Sequence, residues 1–162
     1  MDAFVTWLQA TPLSQAIVAQ LWVWPAAETI HFIGLALIIG IVGFFDLRLM
    51  GFFRQIPVAA VRDLMPFAIV GFLLNLSTGL LFLIGHPEQY AHNPAWWWKV
   101  GFLAVAGLNA GIFETTLAKT TMPIDAGEDT PAAAKAIGFL SIVAWLGVLY
   151  WGRMLPFIGD AY

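Results

Sequence analysis

Four apolar runs, each about as long as the 20 or so residues a bilayer crossing requires, take up most of the chain. They predict spans over about 24–50, 63–84, 95–118 and 132–155. The punctuation between them is specific. Pro25 suits a first helical position, where its missing N–H is not needed. Residues 52–62 form a linker carrying Arg54 and Arg62, and Pro66 falls in the first turn of the second span, where it is tolerated. Gly85-His86-Pro87 stops that span. Residues 86–95 form a loop, and Pro94 opens the third span through Trp96, Trp97, Trp98 and Lys99. A polar stretch, 119–131, holds Asp125, Glu128 and Asp129, and Pro156 with Gly159 ends the fourth span. Ahead of the first span, Phe4, Trp7 and Leu8 group at helical spacing. Thr11-Pro12 reads as an N-cap followed by a first helical residue. Residues 12–22 are too short to span, and their Trp and Gln suit a helix lying in the interface. The pattern therefore predicts an all-α, integral membrane four-helix bundle in one domain over 1–162, with an N-terminal interfacial amphipathic segment over 2–22.

Composition agrees. Apolar residues make up 60% and charged residues 10% of the chain, against about 25% charge in soluble domains, and mean hydropathy is +0.83. A net charge of −3 without a basic stripe argues against a nucleic-acid partner. There is no Cys, which excludes disulfides, thiolate metal sites and haem attached through C-x-x-C-H. The first ten residues lack the basic region of a cleaved signal peptide. Arg48, Arg54, Arg62, Lys119 and Lys135, five of the seven basic residues, flank the first and third connections. The positive-inside rule then puts both termini outside, in the inner membrane if the host is a diderm bacterium. Glu28, His31, His86, His92, Lys99 and Arg153 fall towards the outer side. Trp22, Trp24, Trp96–Trp98 and Trp151 fit an aromatic belt there.

Ionisable and polar groups within spans are few, and each marks a candidate site because an unsatisfied polar group in hydrocarbon is costly. His31 comes first. It can donate to a carbonyl of a neighbouring helix, or ligate iron or copper through a neutral imidazole nitrogen, with Glu28 one turn earlier available to orient its other nitrogen. In the second span Gly71, Asn75, Gly79, Phe82 and His86 share one helical face. Its glycines admit either a neighbouring helix or a flat cofactor. His86 at the end of that face is a second candidate ligand or a helix-end residue, and His92 reads as a loop residue. Lys99 and Arg153 either snorkel to headgroups or meet an anionic group such as a haem propionate. Gly107 and Gly111 form a GxxxG pattern expected at a close helix contact, with Asn109 beside them in need of a partner. Asp46 and Arg48 are too close along one helix to face each other. Their candidate partners are Arg62, Lys119, Asp63 and Glu114.

The stretches WPAAETIHFIGLALIIGIVGFFDLRLMG, NPAWWWKVGFLAVAGLNAGIF and WGRMLPF resemble those of a family of small bacterial four-span membrane proteins of unknown function. More distantly, the layout is similar to that of the small membrane protoporphyrinogen oxidases and the CopD-type copper proteins. These share a His early in one span, an Arg-Leu near its end and a Trp-x-x-Lys entrance to a later span. Here those are His31, Arg48-Leu49, and Lys99 after Trp96. The resemblance implies that His31 and Lys99 bear on haem binding. Asn109 stands about where the oxidases carry a second span-three histidine.

The leading expectation is a membrane oxidoreductase or electron-transfer protein holding b-type haem near the outer face. His31 is one axial ligand and His86 or Lys99 the other. Lys99 or Arg153 meets the propionates, Glu28 stands beside the site, and a quinone or a redox protein is the partner. Two alternatives are carried with it. One is a structural or assembly subunit, in a homo-oligomer or larger membrane complex. The other is copper handling, which five scattered methionines do not favour.

Overall fold

The computed structural model describes residues 1–158, which are helical with no strand among them. Gly159, expected to help end the fourth span, lies outside the described residues. The N-terminal segment is two helices, α1 (Asp2–Gln9) and α2 (Pro12–Ala19). Thr11 caps α2 as expected, its Oγ1 accepting from the Ser14 amide at 3.2 Å. Both leave large apolar side chains exposed, including Phe4, Trp7, Leu13 and Val18.

Four segments are long and apolar enough to cross a membrane: Val23–Leu49, Val58–Gly85, Pro94–Thr121 and Ala132–Phe157. The first is one helix, α3 (Val23–Leu49). The second is α4 (Val58–Arg62), a turn, and α5 (Met65–Gly85). Part of the expected 52–62 linker is thus helical, because Val58 and Val61 are fully buried and anchor it to the core. After the short α6 (Glu88–Ala91), the third comprises α7 (Pro94–Ile112), a π-helical turn (Phe113–Leu117) and α8 (Ala118–Thr121). Asn93 caps α7 by accepting from the Ala95 amide at 2.9 Å. The fourth is α9 (Ala132–Met154), closed by a 3-10 turn (Leu155–Phe157).

Packing is inside-out relative to a soluble protein. Phe32, Ile33, Phe67, Ile69, Leu108 and Phe139 face outwards, while Asp46, Arg48, Asn93, Asn109, Thr121 and Ser141 are buried. Such a surface makes the protein an integral one, with lipid as its solvent. Helices in lipid associate by close packing rather than by hydrophobic expulsion, and two glycine contacts supply it. A Cβ at Gly71 would lie 2.7 Å from Gly34 O, and one at Gly34 would lie 2.7 Å from Gly71 O, so α3 and α5 meet backbone to backbone. A Cβ at Gly138 would lie 2.7 Å from Asp46 O, which joins α9 to α3. The GxxxG expectation at Gly107 and Gly111 is overturned. Both are exposed, and a Cβ at either would meet nothing within 4 Å.

The most extensive contacts are α3 on α5 and α7 on α9, and α3 on α9 joins the two pairs. No extended contact joins α5 to α7. The bundle is therefore closed on three sides and parted on the fourth.

At the Arg48 end, Phe45, Leu49, Val58, Val61, Phe113 and Ala134 form the core. Arg48 within it is 0% exposed. Its Nε donates to Ile56 O at 2.6 Å, and its Nη2 to Glu128 O and Asp125 O at 3.3 and 3.4 Å. It holds carbonyls rather than a carboxylate, and among the described residues Asp46 forms no ion pair. The candidate partners pair differently: Arg62 with Glu114 in a two-pronged bridge, while Arg54 and Lys135 share Asp129. These ion pairs gather at the end where the basic residues cluster.

Candidate functional site

At the other end, the inner faces of α3, α5, α7 and α9 enclose a cavity of about 960 Å³, at the upper end of the range typical of small-molecule sites. Glu28, His31, His86, Lys99 and Arg153, the five residues of the expected haem site, line it. Its walls are otherwise mostly apolar, with Phe72, Leu76 and Leu80 from α5, Val100 and Leu103 from α7, and Trp145 and Leu149 from α9.

His31 is held by two residues of α5. Asn75 Nδ2 donates to His31 O at 3.2 Å, tying the α3 backbone at that point. The ring Nδ1 lies 2.8 Å from Thr78 Oγ1. That hydroxyl stands 2.7 Å from Leu74 O and 3.2 Å from Asn75 O, so its single proton is engaged by the helix backbone and towards His31 it accepts. With Thr78 accepting, the proton is assigned to Nδ1, and in the neutral ring the lone pair then falls on Nε2.

Glu28 does not orient His31: its Oε1 accepts from Trp24 Nε1 at 3.1 Å. His86 caps the end of α5 and lies apart from His31. The rings of His31, Phe82, Trp24 and His86 follow one another with centroids 5.7, 4.8 and 5.0 Å apart, so two aromatic rings come between the histidines. His86 Nδ1 is 3.3 Å from Glu88 Oε1. His92 pairs with Asp2 on α1 at 3.0 Å.

Lys99 is half-buried. Its ammonium lies 5.9 Å from the Trp96 ring centroid, and its stem crosses α9 at Gly152, where a Cβ would come within 3.8 Å of Nζ. Arg153 lies over Phe157 at 5.0 Å. Among the described residues neither cation has a carboxylate within salt-bridge distance. Tyr90 of α6 closes the end of the cavity, packed edge-on against Trp96. Burial, and then the charges of Glu28 and Glu88, push its phenol up to about 12.

No protein-family model matches the chain, and neither do the curated proteins or the solved structures. What the site can do is read from its chemistry. It offers one neutral imidazole nitrogen, at least one half-buried cation without an acidic partner, and an apolar chamber of small-molecule size.

Thr78, Tyr90 and Gly152 escaped the sequence reading. Thr78 carried a faint signal, being a hydroxyl three residues after Asn75 in a span, on the face already marked by Gly71 and Gly79. Gly152 carried none, since only the approach of Lys99 gives it a role. Asn109 is partnered in part: Nδ2 donates to Ile137 O at 3.1 Å, while Oδ1 is buried without a donor.

Proposed function

We propose that the protein binds b-type haem in this cavity and serves a redox or electron-transfer role near the outer face of the membrane. The observation that carries the reading is the Thr78–His31 hydrogen bond, which leaves the Nε2 lone pair on a residue lining an apolar chamber. The donor set fits the group. An imidazole suits iron, and the half-buried ammonium of Lys99 suits a carboxylate. His31 would be the axial ligand, Lys99 the propionate partner, and Arg153 a second cation at the same end. Bound haem supplies one-electron chemistry, while the chain excludes water, fixes the imidazole and balances the acid groups. Phe82 and Trp24 intervene between His31 and His86, which sets His86 apart from the His31 ring. His86 then acts at the helix end, with Glu88. A quinone or a redox protein would exchange electrons at this end of the bundle.

The visible spectrum of the purified protein, oxidised and then reduced, tests the reading. A reducible haem band is expected in wild type and is lost in His31→Ala with the fold retained. Lys99→Gln is expected to weaken haem retention, and His86→Ala to leave the band unchanged. Absence of any band after haem supplementation would overturn the reading.

We further propose a bacterial inner-membrane location with both termini outside. The support is the clustering of Arg48, Arg54, Arg62, Lys119 and Lys135 at the opposite end from the cavity.

A further inference from the structure

The parted side of the bundle is a window rather than a loose seam. Its two jambs, α5 and α7, are tied at both ends. At the Arg48 end the Arg62–Glu114 bridge joins the start of the second span to the π-turn after α7. At the other end α6 links them directly. The Trp97 indole donates to Ala91 O at 3.1 Å and Tyr90 packs on Trp96. Between these ties, Leu76 and Val100 both line the cavity and stand exposed, at 44% and 37%. The window opens within the apolar spans, so it faces acyl chains. Towards water, α6 and the 3-10 turn after α9 contribute Tyr90, Leu155 and Pro156 across the end of the cavity.

We propose that the cavity is loaded sideways from the bilayer, through the gap between α5 and α7, by a lipid-soluble amphiphile whose acidic head is drawn to Lys99. The wall chemistry selects the class. The frame and much of the lining are apolar, which admits a hydrophobic body. The half-buried ammonium, with no carboxylate in reach among the described residues, calls for an anion to neutralise it. The size of the chamber suits one small molecule rather than a partner helix. Haem, a largely apolar plate with two carboxylates, belongs to this class, and the inference rests on the haem reading for its first probe.

The test uses apoprotein in nanodiscs mixed with donor vesicles that carry haem. Leu76→Trp and Val100→Trp narrow the window, and the bound-haem band is expected to appear at least tenfold more slowly in each, reaching the wild-type amplitude. Ile69→Trp and Leu108→Trp, on outward faces beyond the cavity lining, are expected to load at the wild-type rate. Equal rates in all five proteins would overturn the proposal. A second probe, a fatty acid with a free carboxylate and a diazirine in its chain, reads the window without haem. Photolysis soon after mixing is expected to leave adducts on Leu103 and Trp145, reduced at least fivefold in Leu76→Trp, while Lys99→Gln reduces them at least fivefold after equilibration as well. Adducts confined to outward residues such as Ile69 and Leu108 would overturn lateral entry even if haem binds. Adducts in the cavity with no haem band would retire the haem reading and leave the window standing. A stable dimer that Leu76→Trp dissociates would give the gap to a second copy of the chain and overturn the proposal.

Discussion

A threonine hydroxyl has one proton, and at position 78 the backbone of its own helix engages it. Everything the imidazole of His31 can offer follows from that. Thr78→Val keeps the shape and removes the acceptor, so the ring is free to exchange tautomers and to turn. Loss of such an orienting partner lowers metal affinity by about 10–100-fold, and haem retention is expected to fall on that scale, with Thr78→Ser restoring it. Nitrogen NMR of labelled histidine in the apoprotein checks the cause directly: Nδ1–H is expected to dominate in wild type and to be lost in Thr78→Val. Tyr90 is testable at the same scale. Its phenol stays protonated up to about pH 12, whereas in the unfolded chain it ionises near 10. Over that interval the folded state holds more protons than the unfolded one, so Tyr90 makes stability fall as pH rises. An alkaline titration followed by phenolate absorbance is expected to show a late step that Tyr90→Phe removes. The sequence marked His31, because a histidine in a span stands out. It marked the partner only faintly, since a threonine near Asn75 gains a role only once α5 is set beside α3, and Glu28 looked the better candidate on spacing alone.

At the scale of the element, glycine pairs decide which helix faces meet. Gly34 and Gly71 are 37 positions apart and form no motif, yet their backbones touch. Gly107 and Gly111 form a motif and touch nothing. Spacing along one helix reports a smooth face but not whether another helix lies on it. Gly71→Ala forces a Cβ against Gly34 O and is expected to destabilise the α3–α5 pair by about 1–3 kcal/mol. Gly107→Leu is expected to leave the midpoint of thermal unfolding in detergent unchanged. The π-turn is a second feature of this scale that apolar periodicity did not disclose. Its extra residue lets Phe113 turn inwards onto Phe45, ring centroids 5.5 Å apart, while Glu114 reaches Arg62. The Thr115 and Thr116 hydroxyls donate to Gly111 O and Ile112 O at 2.8 and 2.6 Å, occupying carbonyls where the regular helix gives way.

For the whole molecule, the number of spans and most of their boundaries were legible because hydrocarbon imposes length and apolarity on any helix that crosses it. The order of packing was not, since four similar apolar helices can be arranged in several ways, and only the small-residue contacts choose among them. Orientation is open to a direct check. Reporter fusions after Arg54 and after Asp125 are expected to signal the cytoplasm, and a periplasmic signal at either would reverse the proposed topology.

Arg48 sets a timetable for biosynthesis. Two of the three carbonyls that accept from its guanidinium belong to Asp125 and Glu128, 77 and 80 residues further along the chain. A nascent chain that has finished only its first three spans therefore has Ile56 O for Nε but no carbonyl for Nη2, which water or headgroups must serve until the last connection is translated. Truncation after Thr121 is expected to leave the Arg48 end open to protease, while the α3–α5 hairpin, whose contacts are already complete, resists. The final connection thus acts as the latch of the assembly, closing on the first span from the far side of the gene.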